Sequence, residues 1–228
     1  MIVLGIETST AVCAAGLFIE GKPEVERSLV ESRIHSEKLL TLIREVVSDA
    51  AISLDELHAI AVSIGPGSFT GLRIGLSTAK GLCYALERPL VVIPTFEAVA
   101  AAARDTHGEV SRIVVMVDAK KDEFYLGEYT VGDSGPEAVG PVTVIPFDNA
   151  LSATWQVQET LFVTDKIDWV RNKLGGRAIV EDVHRCCRGS VVARLGYRKT
   201  LRKEFADVAS VEPVYLKDFV VRTVHTTS

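Results

Sequence analysis

The sequence has no apolar stretch approaching the roughly 18 residues that a membrane-spanning helix needs. Residues 1–5 lack the positive start and the small-residue cleavage site of a signal peptide. Cations are in the minority, since 25 lysines and arginines stand against 30 aspartates and glutamates. This acidic balance disfavours a protein that coats nucleic acid or an anionic membrane. We therefore expect a cytoplasmic protein that makes no membrane contact and touches nucleic acid only locally.

Cysteine is scarce, and its four positions lack the spacing of a disulfide framework: Cys13, Cys83, Cys186 and Cys187. The run from His184 to Cys187 places candidate metal ligands in four adjacent residues, whereas zinc sites use ligand pairs separated along the chain. We interpret this run as a thiol pair without a metal, with a metal site as the alternative. The five histidines include no pair at the i, i+4 spacing that binds metal from a helix.

Catalytic candidates are equally few. Ser68 does not occupy the serine position of a nucleophile elbow. Asp118, Asp122 and Glu123 form an acidic cluster at a strand end, which we interpret as a solvated turn in preference to a catalytic site. The sequence thus predicts no catalytic, cofactor-binding or metal-binding residue.

The pattern that is present predicts an ordered α/β protein, because 47% of its 228 residues are hydrophobic and 24% are charged. Hydrophobic periodicity predicts strands at 2–6, 11–19, 25–31, 58–64 and 90–93, and helices at 35–51, about 70–86 and from an N-cap at Thr95. A similar order follows residue 108, with strands at 112–118, 123–131, 142–145 and 160–164 and helical segments at 147–155 and 166–174. We predict two lobes, 1–105 and 106–228, the second closing with an amphipathic helix at 190–205.

The segment 59–86 is depleted in charge, since Arg73 and Lys80 are its only charged residues. Such depletion is typical of a core or an interface. Its glycine-rich turn, Gly65-Pro66-Gly67-Ser68-Phe69-Thr70-Gly71, could cradle an anion at a helix start, or could only permit a tight turn and close packing. Arg73 opposes the helix dipole, so we expect compensation by a carboxylate such as Glu7, by a partner's acidic group or by an anion, unless the side chain extends into water.

Gly71, Gly75 and Ala79 share one face of the predicted helix and would let another backbone approach closely. This face either packs within the chain or, together with the neighbouring apolar side of helix 35–51, forms an interface with another protein chain. As interface residues we predict nine positions: Leu39, Leu40, Ile43, Val47, Gly71, Ile74, Gly75, Thr78 and Leu82.

The last helix is the exception to the acidic balance, because seven cations and no acidic residue lie between positions 185 and 203. Arg194, Arg198 and Arg202 share one face of it. These arginines could contact RNA, pair with an acidic partner or simply face solvent.

Several motifs together resemble the TsaB (YeaZ) family over nearly the whole chain. They are Ile6-Glu7-Thr8-Ser9, His35-Ser36-Glu37-Lys38-Leu39-Leu40, Gly65-Pro66-Gly67-Ser68-Phe69-Thr70-Gly71-Leu72-Arg73-Ile74-Gly75, Ala79-Lys80-Gly81-Leu82 and Val211-Glu212-Pro213-Val214-Tyr215-Leu216. Asp118-Ala119-Lys120-Lys121-Asp122-Glu123-Phe124-Tyr125 is similar to that family's turn, with substitutions at its centre.

The resemblance implies an actin-like ATPase (ASKHA) fold of two ribonuclease-H-like lobes. It also implies a role in making N6-threonylcarbamoyladenosine at position 37 of tRNAs that read ANN codons. In that family the protein is a non-catalytic partner of a paralogous transferase, TsaD, assisted by the small ATPase TsaE. The paralogue's two metal-binding histidines correspond to Thr95 and Val99 here, neither of which can replace a histidine ligand. Glu7-Thr8-Ser9-Thr10, the corresponding nucleotide loop, has no glycine after its acidic residue.

Two hypotheses result. In the first, the chain is a scaffold whose helices 35–51 and 70–86 bind a TsaD-like transferase or a second copy of the chain. In the second, it is an enzyme in its own right, either an ATP-dependent phosphotransferase or a peptidase of the same superfold. Because Thr95 and Val99 cannot replace the paralogue's metal-binding histidines, we favour the scaffold hypothesis.

Overall fold

A computed structural model describes residues 1–31, 34–108, 110–150, 157–175 and 178–217. Among the described residues, the first half of the chain forms five strands and three helices. They are β1 (Ile2–Glu7), β2 (Val12–Ile19), β3 (Val25–Val30), α1 (His35–Asp49), β4 (Ala59–Ser63), α2 (Phe69–Leu86), β5 (Leu90–Ile93) and α3 (Thr95–Thr106). A capping box, in which the Ser53 backbone N–H donates to Glu56 at 2.8 Å, opens a short 3-10 turn at Leu54–Glu56.

The second half adds six strands and three helices among the described residues. They are β6 (Arg112–Asp118), β7 (Glu123–Gly132), β8 (Gly135–Ala138), β9 (Thr143–Pro146), β10 (Thr160–Thr164), α4 (Ile167–Leu174), β11 (Ile179–Asp182), α5 (Val183–Cys186) and α6 (Gly189–Leu201). Two further 3-10 turns lie at Phe147–Asn149 and Val157–Glu159.

The two sheets repeat one topology. The first has the order β3-β2-β1-β4-β5, with β2 antiparallel to both neighbours and β1, β4 and β5 parallel. The second has the order β11-β10-β6-β7-β8, with β9 also paired to β7, and again joins a parallel half to an antiparallel half. This duplication confirms the predicted α/β fold of two ribonuclease-H-like units.

The sheets and helices pack as layers, because alternate residues of each strand point to opposite faces. On the first sheet, Leu4 belongs to a core shared with α1 and α2, whereas Val3 belongs to a core shared with α3, α6 and the second sheet. On the second sheet, Met116 and Phe162 face a third core that includes Val170 of α4.

Helix α6 crosses the first sheet at backbone contact distance. A Cβ atom added at Gly5 would lie 2.1 Å from the Gly189 carbonyl oxygen, and one added at Gly16 would lie 2.2 Å from the Ser190 nitrogen. The helix that we assigned by sequence to the second lobe therefore packs on the sheet of the first. The division at residue 105 itself stays a prediction.

Some element predictions were wrong or incomplete. The N-cap of α3 is Pro94, because Thr95 is already helical and its hydroxyl accepts from the Gly65 N–H at 3.0 Å. The last helix ends at Leu201, four residues early, where Lys203 takes a left-handed φ of 59°. Strands β8 and β11 and the short α5 were not predicted. Of the predicted helix 147–155, only the 3-10 turn is observed, and residues 151–156 lie outside the described part.

Candidate functional site

A cleft of about 990 Å³ opens between the two sheets. Its walls come from the turn after β1, the loop before α2, the loop between β6 and β7, and the segment after α6. The residues lining the cleft include Ser9, His35, Phe69, Asp118, Tyr215 and Lys217.

The turn after β1 is held by two buried side chains. Glu7 is fully buried, and one of its carboxylate oxygens accepts from the backbone N–H of Ser9 at 2.6 Å and from the Ser9 hydroxyl at 2.5 Å. Burial raises the pKa of Glu7, although both Ser9 donors favour the charged form. His35 Nε2 lies 3.1 Å from the carbonyl oxygens of Thr10 and Val12, and since carbonyls only accept, that nitrogen carries the proton.

The glycine-rich turn packs directly on this structure. A Cβ atom at Gly67 would lie 2.3 Å from the Ser9 carbonyl oxygen, and one at Gly71 would lie 2.0 Å from the Thr8 carbonyl oxygen. The Ser68 side chain caps α2 by accepting from the Gly71 N–H at 3.3 Å. These contacts support the packing interpretation of the glycines. The Ser68 hydroxyl also occupies the Gly71 N–H, one of the free helix donors that an anion would bind.

The actin-like fold implies a metal-bound nucleotide in such a cleft, and the turn after β1 does not fit one. Glu7 supplies the only carboxylate of this turn, and it is enclosed by protein and absent from the cleft wall. Among the described residues, no group of three or more His, Cys, Asp or Glu side chains is placed to hold a metal ion. Thr95 and Val99, which we matched by sequence to the paralogue's histidines, are both buried.

Arg73 is compensated by aromatic rings. Its guanidinium carbon lies 4.1 Å from the centroid of the Phe69 ring and 5.9 Å from that of Tyr215. The Arg73 Nε–H also donates to the Tyr215 hydroxyl at 3.0 Å. Of the groups that we considered from the sequence as compensation for the Arg73 charge, Glu7 is therefore excluded, because its carboxylate binds Ser9. Sequence reasoning missed Tyr215 because it lies 142 residues away.

On the second-lobe side of the cleft, the Asp118 carboxylate pairs with two lysines. Its carboxylate accepts from the Lys120 N–H at 2.7 Å and lies 3.0 Å from the Lys166 ammonium. Burial alone would raise the pKa of Asp118, but these groups outweigh it and the pKa is lowered. Burial raises the pKa of the neighbouring Asp165, which accepts from the Asp118 N–H at 3.0 Å.

The structure separates the nine predicted interface residues into two groups. Five are buried by contacts within the chain: Leu39, Ile43, Val47, Gly71 and Gly75. Gly75 faces Thr8, whose hydroxyl oxygen would lie 2.2 Å from an added Cβ atom. The other four reach the surface, with Leu40 57% exposed and Ile74, Thr78 and Leu82 partly exposed.

Helix α2 also carries a large exposed side chain that sequence reasoning missed. Tyr84, on α2, is 87% exposed, and the neighbouring Gly81 has open space at its Cβ position. We name Leu40, Ile74, Thr78, Leu82 and Tyr84 the α1–α2 patch. The assignment of this patch as an interface stays a prediction.

The cations of the last helix are mostly paired within the chain. Arg194 contacts Asp105 and lies 3.6 Å from Glu24, and Arg202 lies 2.9 Å from Glu204. Arg198 is exposed and forms no ion pair with any residue that the structure describes. Of the three arginines that we considered as RNA contacts, Arg198 is thus the one that is exposed and forms no ion pair among the described residues.

The run from His184 to Cys187 is a structural feature of the lobe junction. His184 Nδ1 lies 2.9 Å from the Asp182 carboxylate. Cys186 and Cys187 are buried free thiols, and burial raises the pKa of Cys186 to about 12. Such thiols are poor nucleophiles and poor metal ligands.

Comparison with known proteins gives the chain its family. The family model described as "TsaD: tRNA N6-adenosine threonylcarbamoyltransferase" matches residues 29–174. A solved structure described as YeaZ from Pseudomonas aeruginosa superposes with a TM-score of 0.80 at 26% identity, covering 94% of this chain and 99% of that one. The chain belongs to the TsaB (YeaZ) family.

Curated members of this family are similar over part of their length. The protein named "tRNA threonylcarbamoyladenosine biosynthesis protein TsaB" of Escherichia coli is 32% identical over 59% of this chain and 58% of its own. Its namesake in Haemophilus influenzae is 32% identical over 55% of this chain and 52% of its own. The chain thus spans between half and three fifths of these relatives. Among its described residues, no helix has the length and apolarity to span a bilayer.

Proposed function

We propose that this chain is a non-catalytic scaffold subunit in the synthesis of N6-threonylcarbamoyladenosine at position 37 of tRNAs reading ANN codons. It would act by binding a TsaD-like transferase, with a TsaE-like ATPase as a further component. The observation that carries the proposal is the similarity to relatives named for threonylcarbamoyladenosine biosynthesis. The enclosed Glu7 and the residues Thr95 and Val99 support a role without chemistry of its own.

The surface proposed for the transferase is the α1–α2 patch. It includes an exposed leucine and an exposed tyrosine, and aromatic side chains such as tyrosine are enriched at interface centres. The same patch could pair two copies of the chain, so homodimer and heterodimer would compete for it. Direct tRNA contact through the helix bearing Arg194, Arg198 and Arg202 stays a prediction, and Arg198 is its most accessible residue.

An omit-one reconstitution tests the function. Unmodified tRNA, threonine, bicarbonate, ATP and the purified pathway proteins are incubated with and without this chain, and modified adenosine is counted by mass spectrometry. We expect modification to collapse on omission and to be absent with this chain alone. Unchanged modification without the chain would overturn the proposal. The enzyme hypothesis would then be tested by calorimetry with ATP and magnesium.

A pair of variants tests the patch. Leu40→Arg places a cation at a proposed interface centre, whereas Val139→Arg makes the same change at an equally exposed position, 57% in both, on the other lobe. We expect Leu40→Arg to weaken association with the transferase by more than about tenfold, and Val139→Arg to leave it unchanged. Both variants should melt within about 2 °C of the parent, since surface changes have small effects on stability. Equal binding by the two variants would contradict the assignment.

A further inference from the structure

The segment after α6 runs along the first lobe and ends on the second. Ala206 donates its backbone N–H to Leu90 of β5 at 2.9 Å, and Val214 donates to Ile64 at 2.7 Å. Tyr215 then stacks near Phe69, with ring centroids 4.9 Å apart. We name residues 206–217 the interlobe strap. Its backbone and aromatic contacts fix it to the first lobe before its last described residue reaches the other side of the cleft.

That residue, Lys217, fits into the loop between β6 and β7. Its ammonium group donates to the carbonyl oxygens of Ala119 at 2.7 Å and Lys120 at 3.0 Å, and to the Glu123 carboxylate at 2.5 Å. An ammonium has three donors, and all three are used. Lys217 and Glu123 are 23% and 33% exposed, so the contact is partly shielded from water.

The loop is shaped for this contact. Lys120, Lys121 and Asp122 have consecutive left-handed φ values of 63°, 58° and 56°, and the Ala119 and Lys120 carbonyl oxygens both lie within hydrogen-bond distance of one nitrogen atom. Of the other two acids at this loop, Asp118 is already paired with Lys120 and Lys166, and Asp122 is exposed to solvent. Glu123 is the carboxylate that contacts the Lys217 ammonium group.

We propose that the β6–β7 loop is a primary-ammonium binding site and that Lys217 is its built-in ligand. By occupying it, Lys217 fastens the interlobe strap across the cleft and ties the two lobes together. Opening of the cleft then requires the lysine to withdraw. This inference is independent of the proposed role in tRNA modification.

Hydrogen exchange of the full chain tests the fastening. Lys217→Ala should accelerate exchange of the Ala119 and Val214 amides about five- to tenfold, because losing a charge-assisted contact lets both segments open more often. Glu123→Gln, which keeps the strap intact, should give a smaller increase at the same amides. Lys22→Ala, an exposed lysine on the β2–β3 turn, is the matched control and should change neither. Unchanged exchange in Lys217→Ala would overturn the proposal.

Chemical rescue tests the ligand class. Propylammonium replaces the atoms that Lys217→Ala removes beyond Cβ, so tens of millimolar should restore slow exchange at Ala119. Tetramethylammonium at equal concentration has the same charge but no N–H donor and should not restore it. Rescue by both cations, or by neither, would overturn a specific ammonium site.

Discussion

Glu7 is the most deeply buried carboxylate among the described residues. It is fully buried, and one of its oxygens has no hydrogen-bond partner among the described atoms. The Ser63 hydroxyl, on the neighbouring parallel strand, lies close enough to lower the pKa of Glu7, although no hydrogen bond of good geometry joins the two side chains. Burial raises the pKa of Glu7 above its ordinary value of 4.5, and the hydrogen bonds from Ser9 only partly offset this shift.

This shift predicts a pH-dependent effect of Glu7→Gln. The folded state binds the Glu7 proton more tightly than the unfolded state, so its stabilising contribution is complete below pH 4.5 and is lost as pH rises through the folded pKa. Glutamine keeps an acceptor for Ser9 and can donate to Ser63. We expect Glu7→Gln to raise the melting temperature by about 2 to 4 °C at pH 8 and far less at pH 4.

Glu45→Gln, an exposed change on α1, is the control for this titration and should shift the melting temperature little at either pH. The measurement is thermal unfolding followed by circular dichroism at both pH values. An equal gain for Glu7→Gln at pH 4 and pH 8 would show that the buried charge is not its cause.

At the level of secondary structure, two of the three glycines of α2 have opposite surroundings. Gly75 faces the Thr8 side chain, whereas Gly81 has nothing within 4 Å of its Cβ position. Thr8 cannot move freely, because its hydroxyl donates to the Gly71 carbonyl at 2.8 Å. One helix thus offers a matched pair of sites for the same substitution.

We predict that Gly75→Ala destabilises the protein by about 1 to 3 kcal/mol, because it displaces the Thr8 side chain from a packed site. Gly81→Ala should instead stabilise it by about 0.5 to 1 kcal/mol, because alanine is the better helix former where space is open. Urea denaturation measures both. Similar changes of one sign in the two variants would contradict the packing of α2 on the turn after β1.

At the scale of the whole molecule, α6 makes the lobes interdependent. It fills the face of the first sheet opposite α1 and α2, and its residues share a single core with α3 and the second sheet. Without α6, the apolar face that contains Val3, Ala61 and Val91 would be open to water. The first lobe is therefore completed by a helix that lies more than 80 residues beyond its own last helix.

This dependence predicts that residues 1–108 alone do not fold cooperatively. We expect a fragment with that end point to aggregate or to show no sigmoidal thermal transition, because one face of its sheet is uncovered. Adding a fragment of residues 109–228 should restore native-like circular dichroism. A cooperative transition in the isolated first fragment would contradict the role given to α6.

Most of the local structure, and the family, could be predicted from the sequence. Strands β5, β6 and β10 match their predicted limits, and α1 and α2 match to within two residues, because hydrophobic periodicity is a property of neighbouring residues. The edge strands β8 and β11 escaped prediction, because they are short and only partly buried. The glycine-rich motif and its companions were enough to indicate the family, because such motifs are long and contiguous.

Which of these residues are buried and which are exposed depends on tertiary packing. Periodicity placed Ile43 and Leu40 together on the apolar side of α1, yet packing on the sheet buries the first and leaves the second exposed. The partners of Arg73 and Lys217 lie about 140 and 95 residues away, and α6 covers a sheet formed at the other end of the chain. Contacts between such distant segments depend on how the chain folds back on itself, and no local pattern records that.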